Sequence, residues 1–368
     1  MEQYESLYPP KGQELAQLLE NLVNNEMFPM PALNLFPEQS VDATRDYVRT
    51  CKTVDEFQCN VMSRVCKFIE HRTSQGFTYS GHEILGQRPY LFVSNHRDIT
   101  CDAILLEYIH ILNHQSTTHV VIGANLFEMQ LMAMMARLNK MFAIGRGGNP
   151  REYYRSLMQM SGFLRHLITE KHESAWIAQR NGRTKDGIDR TDPALIKMFA
   201  ASGDRSNPAK ALAEMNIVPV SISYEWEPCG IAKAREIALK LQGPYTKQPG
   251  EDTQSIINGV IKDKGRIHFT LCSPLTLSEL ESANGDFDEI ARIMDRRIAD
   301  GYRLWPNNYI AHEILTGIHN DNYTPTERQV FEKYLDEACA KHDIPHFRET
   351  LLQIYAGAIM RINELVIA

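Results

Sequence analysis

Between residues 76 and 275, short apolar runs alternate with longer stretches in which apolar positions recur every three or four residues. The short runs fall at 77–85, 89–94, 119–122, 141–144, 175–178, 217–224 and 266–272. Their length and their β-branched and aromatic content predict strands. The periodic stretches at 102–113, 125–139, 150–169, 192–214 and 251–262 predict helices. Strand–helix alternation of this kind predicts an α/β fold, a mixed sheet flanked by helices. Residues 1–75 carry no strand signal, and 14–24 and 54–71 have helical spacing, with Phe57, Val61, Val65 and Phe68 on one stripe. Beyond 276 the pattern is helical again, at 287–303, 306–318, 325–341 and 347–365. The predicted organisation is a helical N-terminal segment (1–75), an α/β domain (76–275) and a helical C-terminal segment (276–368).

Composition narrows the function classes. A chain of 368 residues can bury a sizeable core, and a net charge of −7 argues against wholesale electrostatic binding to nucleic acid. The seven cysteines form no CxxC pair and no metal-ligand spacing, so reduced thiols and no metal are expected. The opening MEQYESLYPPKGQ is polar rather than a secretory leader, and no uninterrupted apolar run reaches transmembrane length. The expectation is a cytoplasmic protein, or one peripheral on the inner membrane.

The densest chemistry is Ser94-Asn95-His96-Arg97-Asp98-Ile99-Thr100-Cys101-Asp102, directly after the predicted strand at 89–94. A histidine at a strand-to-helix turn, with an acid six residues on, suits a general base and its orienting carboxylate. The alternative is that Asp98 merely caps the following helix while His96 packs. Three further segments lie beside other predicted strands: 141–151 with Arg146, 176–187 with Arg183 and Lys185, and 217–224. Arginine suits phosphate because its planar fork donates two parallel bonds. The methionine-rich stretch 126–137 is either an ordinary buried helix or a lining for an acyl chain. His96-Arg97-Asp98 mimics a kinase catalytic loop, but position 103 is Ala where such a loop needs Asn, and no Gly-x-Ser-x-Gly elbow is present.

On these residues the chain resembles the glycerolipid acyltransferase family. The family's four blocks are matched by Asn95-His96…Asp102, by Phe142-Ala143-Ile144-Gly145-Arg146, by Asn181-Gly182-Arg183 and by Val218-Pro219-Val220. Two departures stand out. The family has one residue fewer between His and Asp than the five here, 97–101, so Asp102 is the favoured partner and Asp98 the alternate. The third block lacks its usual Glu, with Arg180 in that position, and its Asn-Gly-Arg-Thr-Lys-Asp-Gly looks closer to glycerol-3-phosphate acyltransferases.

The resemblance implies a glycerol-3-phosphate acyltransferase-like fold and an enzyme that moves a fatty acyl group from an acyl thioester, acyl-CoA or acyl-carrier protein. The acceptor would be a hydroxyl of glycerol-3-phosphate or a lysophospholipid such as lysophosphatidic acid. It implies no cofactor beyond the thioester co-substrate. His96 would be the base and Asp102 its partner, with Arg146, Arg183, Lys185, Asn95 and Gly182 at the substrate and backbone N–H groups of the turn on the oxyanion. A non-catalytic lipid- or acyl-carrier-binding protein on the same scaffold, or an acyltransferase for a non-glycerol acceptor, are the alternatives.

Overall fold

The structure, a computed structural model, describes residues 2–127, 130–143, 149–248 and 250–367. Seven strands form one sheet: β1 (Gly76–Ser80), β2 (Leu91–Ser94), β3 (His119–Val121), β4 (Met141–Phe142), β5 (Ala175–Ala178), β6 (Ile217–Tyr224) and β7 (Arg266–Leu271). Their order is β1-β7-β6-β2-β5-β3-β4, and every pairing is parallel except β6 with β7. Strands β2 to β6 therefore run the same way, and their carboxyl ends share one edge. That edge is where ligands bind in open α/β sheets.

Burial explains which runs became strands. Every residue of β2 and β6 is buried, as expected for central parallel strands covered on both faces. Strand β7 instead alternates, with Ile267, Phe269 and Leu271 buried between partly exposed neighbours. Successive residues of β2 feed opposite cores. Phe92 packs with N-terminal side chains such as Leu19, Val48, Phe57 and Ile69, whereas Leu91 and Val93 pack with Phe163, Phe199 and Met294. A third cluster joins helix Gly230–Gln242 to the C-terminal helices through Ala234, Phe331, Leu351 and Tyr355. The cores thus run across both sequence boundaries at 75/76 and 275/276.

Several expected elements differ in extent. The strand expected over 77–85 stops at Ser80, because Gly81 turns at φ +74° and lies so close to the Leu271 carbonyl that a Cβ would sit 1.9 Å from its oxygen. The single stretch 192–214 is two helices, Pro193–Ala200 and Pro208–Ala213. Pro208 keeps Asn207 out of helical geometry and so starts the second one. The expected strand at 141–144 covers Met141–Phe142, and Ile144 lies outside the described residues. Helices Pro29–Leu35, Val41–Arg49 and Gly230–Gln242 were not anticipated. Helix Phe347–Ile367 is long and apolar enough to cross a membrane by length and composition, but half of its most apolar window is buried inside the protein.

Helix Cys101–Leu112 packs so deeply that Glu107 is buried, accepting hydrogen bonds from the Thr118 backbone N–H (2.6 Å) and hydroxyl. Burial pushes this carboxyl up to about 7 even against those bonds. The unfolded chain would ionise Glu107 near its ordinary value of about 4.3. Between those values the folded protein holds a proton that the unfolded chain has lost, so stability falls as pH rises through that window. Thermal melts from about pH 5 to about pH 8 should lose part of their pH dependence in Glu107→Gln. Parallel curves for both proteins would contradict this assignment.

Candidate active site

At the carboxyl end of β2 the chain turns through Asn95 to Thr100 before entering helix Cys101–Leu112. Two carboxylates close this turn. Asp98 Oδ1 accepts from Thr100 N (2.9 Å) and Cys101 N (2.7 Å), supplying the first helical N–H groups with an acceptor. Asp102, in the first helical turn, points back: its Oδ2 accepts from His96 Nδ1 (2.8 Å), Arg97 N (2.6 Å) and Asp98 N (2.9 Å). Its Oδ1 accepts from the Tyr224 hydroxyl at the end of β6 (2.8 Å). The longer spacing between His96 and Asp102 is thus gathered in by the Asp102 carboxylate, and Asp98 acts as a cap rather than as the partner of His96.

These contacts correct one expectation. The N–H groups of Arg97, Asp98, Thr100 and Cys101 already serve the two carboxylates, so those four amides of the turn are not oxyanion donors.

Asp102 is fully buried, and the His96 side chain is 15% exposed, with its ring edge-on to Trp176 at 5.9 Å. With Nδ1–H directed at the carboxylate, Nε2 carries the lone pair, and among the described residues no hydrogen bond to it occurs. Burial, and then the Asp102 charge, push the Tyr224 hydroxyl well above its ordinary pKa, so it remains a donor.

The loop after β5 is fixed to this turn. Thr184 N donates to the His96 carbonyl at 2.7 Å. Arg97, 1% exposed, donates to Asp189 Oδ2 (2.6 Å), to the Gly187 carbonyl (3.2 Å) and to Glu227 Oε2 (3.1 Å). Lys233 Nζ bridges Glu227 Oε1 (2.5 Å) and the Arg97 carbonyl (2.7 Å). Burial works against the Arg97 charge, but the carboxylates of Asp189 and Glu227 outweigh it and hold its pKa well above the ordinary value.

The other anticipated residues divide. Asn95, expected at the substrate, is fully buried: it donates to Asp189 Oδ2 (2.9 Å) and the Ile222 carbonyl (2.9 Å) and accepts from Ile222 N (2.8 Å). Its amide holds β6 to the turn and is not available to a ligand. Gly182 turns at φ +77° in the exposed loop tip. Arg183, beside it, keeps a buried Nη1 with no partner and lies near enough to Cys229 to oppose the rise that burial causes in that thiol's pKa. Lys185 is paired with Glu236, which also accepts from Lys240 at 2.7 Å. Arg146 lies outside the described residues, as does Met129 of the methionine-rich stretch.

An apolar cavity of about 300 Å³ opens beside the turn, lined by Ile99 and Thr100 of the turn itself. Its walls come from the N-terminal helices, with Phe28, Phe36 and Phe57, and from helix Gln130–Arg137, with Met132 and Met135. Met134 of the same helix is buried in the protein, so this helix both lines a cavity and packs a core. Residues that sequence reasoning passed over are Tyr224, Asp189, Glu227 and Lys233. Apart from Tyr224, which ends the anticipated 217–224 strand, they carry no local motif.

Residues 76–223 match the family model described as Acyltransferase. The matched stretch contains the four motif blocks, from Asn95 to Val220. The crystal structure of the 1-acyl-sn-glycerophosphate (LPA) acyltransferase PlsC from Thermotoga maritima is similar over 78% of this chain and 95% of that one, with 13% identity and a TM-score of 0.37. No curated protein matches the chain.

Removing the Arg97 side chain would leave Asp189 and Glu227 buried with one cation fewer. Arg97→Ala should lower stability by about 3–5 kcal/mol, read by urea unfolding. A loss within about 1 kcal/mol would mean that the cluster is not coupled as described.

Proposed function

We propose that the protein transfers a fatty acyl group from an acyl-CoA or acyl-carrier-protein thioester to a hydroxyl of glycerol-3-phosphate or lysophosphatidic acid. The observation that carries this reading is the His96–Asp102 pair, with Nε2 free among the described residues, beside an apolar cavity and an arginine with an unpartnered donor. His96 Nε2 takes the proton of the acceptor hydroxyl as its oxygen attacks the thioester carbonyl. Asp102 holds the tautomer and stabilises the imidazolium that forms. The tetrahedral oxyanion collapses, the C–S bond breaks, and the imidazolium returns the proton to the departing sulfur. The products are an ester and a free thiol.

Arg183 suits the acceptor phosphate, since its loop is anchored to the His96 carbonyl through Thr184. Arg146 is assigned to the same phosphate from the sequence block alone. Lys185 joins them only by leaving Glu236. The apolar cavity suits the acyl chain, with Met132 and Met135 as adaptable walls. Met27, which lines the cavity, and Met30 and Leu33 of the adjoining helix Pro29–Leu35 are 51%, 65% and 57% exposed, which suits work at a lipid surface.

Release of thiol from palmitoyl-CoA, with glycerol-3-phosphate or lysophosphatidic acid as acceptor, tests the reading. His96→Ala should cut acceptor-dependent release about 10²–10⁴-fold. Arg183→Ala should raise the acceptor KM, with the donor KM unchanged. Binding of palmitoyl-CoA without release would make the protein a carrier on an acyltransferase scaffold.

A further inference from the structure

The two oxygens of Asp102 are held very differently. Oδ2 receives three donors, all from the adjacent turn: His96 Nδ1, Arg97 N and Asp98 N. Oδ1 receives one hydrogen bond, from Tyr224, 122 residues away on another strand. Tyr224 is 2% exposed and Asp102 is fully buried, so no solvent can replace that hydroxyl. A buried carboxylate oxygen without a donor is costly, so the single hydroxyl on Oδ1 takes a definite share of the carboxylate charge.

The hydroxyl is also placed with care. Two residues before Tyr224, Ile222 is clamped to Asn95 by reciprocal backbone–amide bonds of 2.8 and 2.9 Å. On its other side, Tyr224 pairs in register with Ile267 of β7. Strand β6 is therefore fixed both to the residue preceding His96 and to the neighbouring strand, which leaves the Tyr224 ring little freedom to shift relative to Asp102.

We propose that Tyr224 is a positioning residue for the transfer reaction: its hydroxyl locks the Asp102 carboxylate so that Oδ2 stays aimed at His96 Nδ1 and Nε2 stays aimed at the acceptor. This rests on the acyl-transfer reading given above. Among the described residues the Tyr224 hydroxyl makes no hydrogen bond to His96. It acts through Asp102 by taking a share of the carboxylate charge and by fixing the rotation of the group. Loss of the hydroxyl should therefore slow turnover and leave substrate binding alone.

The test combines kinetics with a spectroscopic readout that needs no substrate. Tyr224→Phe should lower kcat about tenfold or more, with both KM values unchanged, because a hydrogen bond to a charged group is lost. In an Asp102→Asn background the same change should have little further effect, since the two act as one unit. In the full chain without substrate, the Nδ1-bound proton of His96 is followed by NMR. Its resonance should move downfield in Tyr224→Phe, where the carboxylate charge is less shared. It should move the opposite way with 3-fluorotyrosine at 224, which keeps the hydroxyl as a stronger donor.

Unchanged kcat, or no movement of the resonance in either variant, would overturn the proposal. So would movement in the same direction in both, which marks a packing change. If Tyr224→Phe does not fold, the fluorotyrosine protein decides alone. If the wild-type protein transfers no acyl group, the resonance still decides: opposed shifts uphold the positioning role while the reaction assigned to the site falls.

Discussion

The fully buried Asp102 carboxylate accepts four hydrogen bonds, three on Oδ2 and one on Oδ1. That arrangement shapes everything around it. It draws two backbone amides of the turn inward, selects the imidazole nitrogen that bears the proton and fixes β6 against the start of helix Cys101–Leu112. Each donor is individually modest, but in a dry site each becomes expensive to lose. The turn is thus a consequence of satisfying one anion rather than a loop that happens to carry a histidine.

The second constraint is the buried cation beside it. Arg97 would be strongly destabilising alone; paired with Asp189 and Glu227, and backed by Lys233, it becomes a joint between four parts of the chain. Through it the His96 turn is tied to the 179–192 loop and to helix Gly230–Gln242. The Tyr355 hydroxyl accepting from Glu227 N brings in helix Phe347–Ile367. The family match ends at residue 223, so Tyr224, Glu227, Lys233 and Tyr355 all lie beyond it. The N-terminal helices contribute in another way, by walling the apolar cavity at Ile99 and Thr100. The flanking segments are parts of the site's construction and not appendages to it.

Local signals in the sequence were readable where the physics is local. Strand β5 is a continuous apolar run and β6 one interrupted only by Ser221 and Ser223, both bounded by polar residues, and their observed limits coincide with those runs. The same holds for helix Pro325–Lys341, which begins with a Thr324–Glu327 capping box. Where an element's end depends on a distant atom, the reading fell short. Strand β1 stops at Ser80, and the approach of the Leu271 carbonyl on β7 that bars a side chain at Gly81 is announced by no neighbouring residue.

The site divides along the same line. His96 with an acid nearby is legible from spacing, but choosing Asp102 over Asp98 depends on the turn's geometry and on Tyr224. Asn95 looked like a ligand because its partners are 94 and 127 residues away. Lys185 looked like a free cation because Glu236 is 51 residues on.

The central claim is that His96 works through Asp102, so the most direct measurement is acceptor-dependent thiol release in Asp102→Asn beside Asp98→Asn. The account predicts a loss of about 10²–10⁴-fold for Asp102→Asn and a far smaller one for Asp98→Asn, whose amide oxygen can still cap the helix. Equal rates in the two variants, or the larger loss in Asp98→Asn, would contradict it.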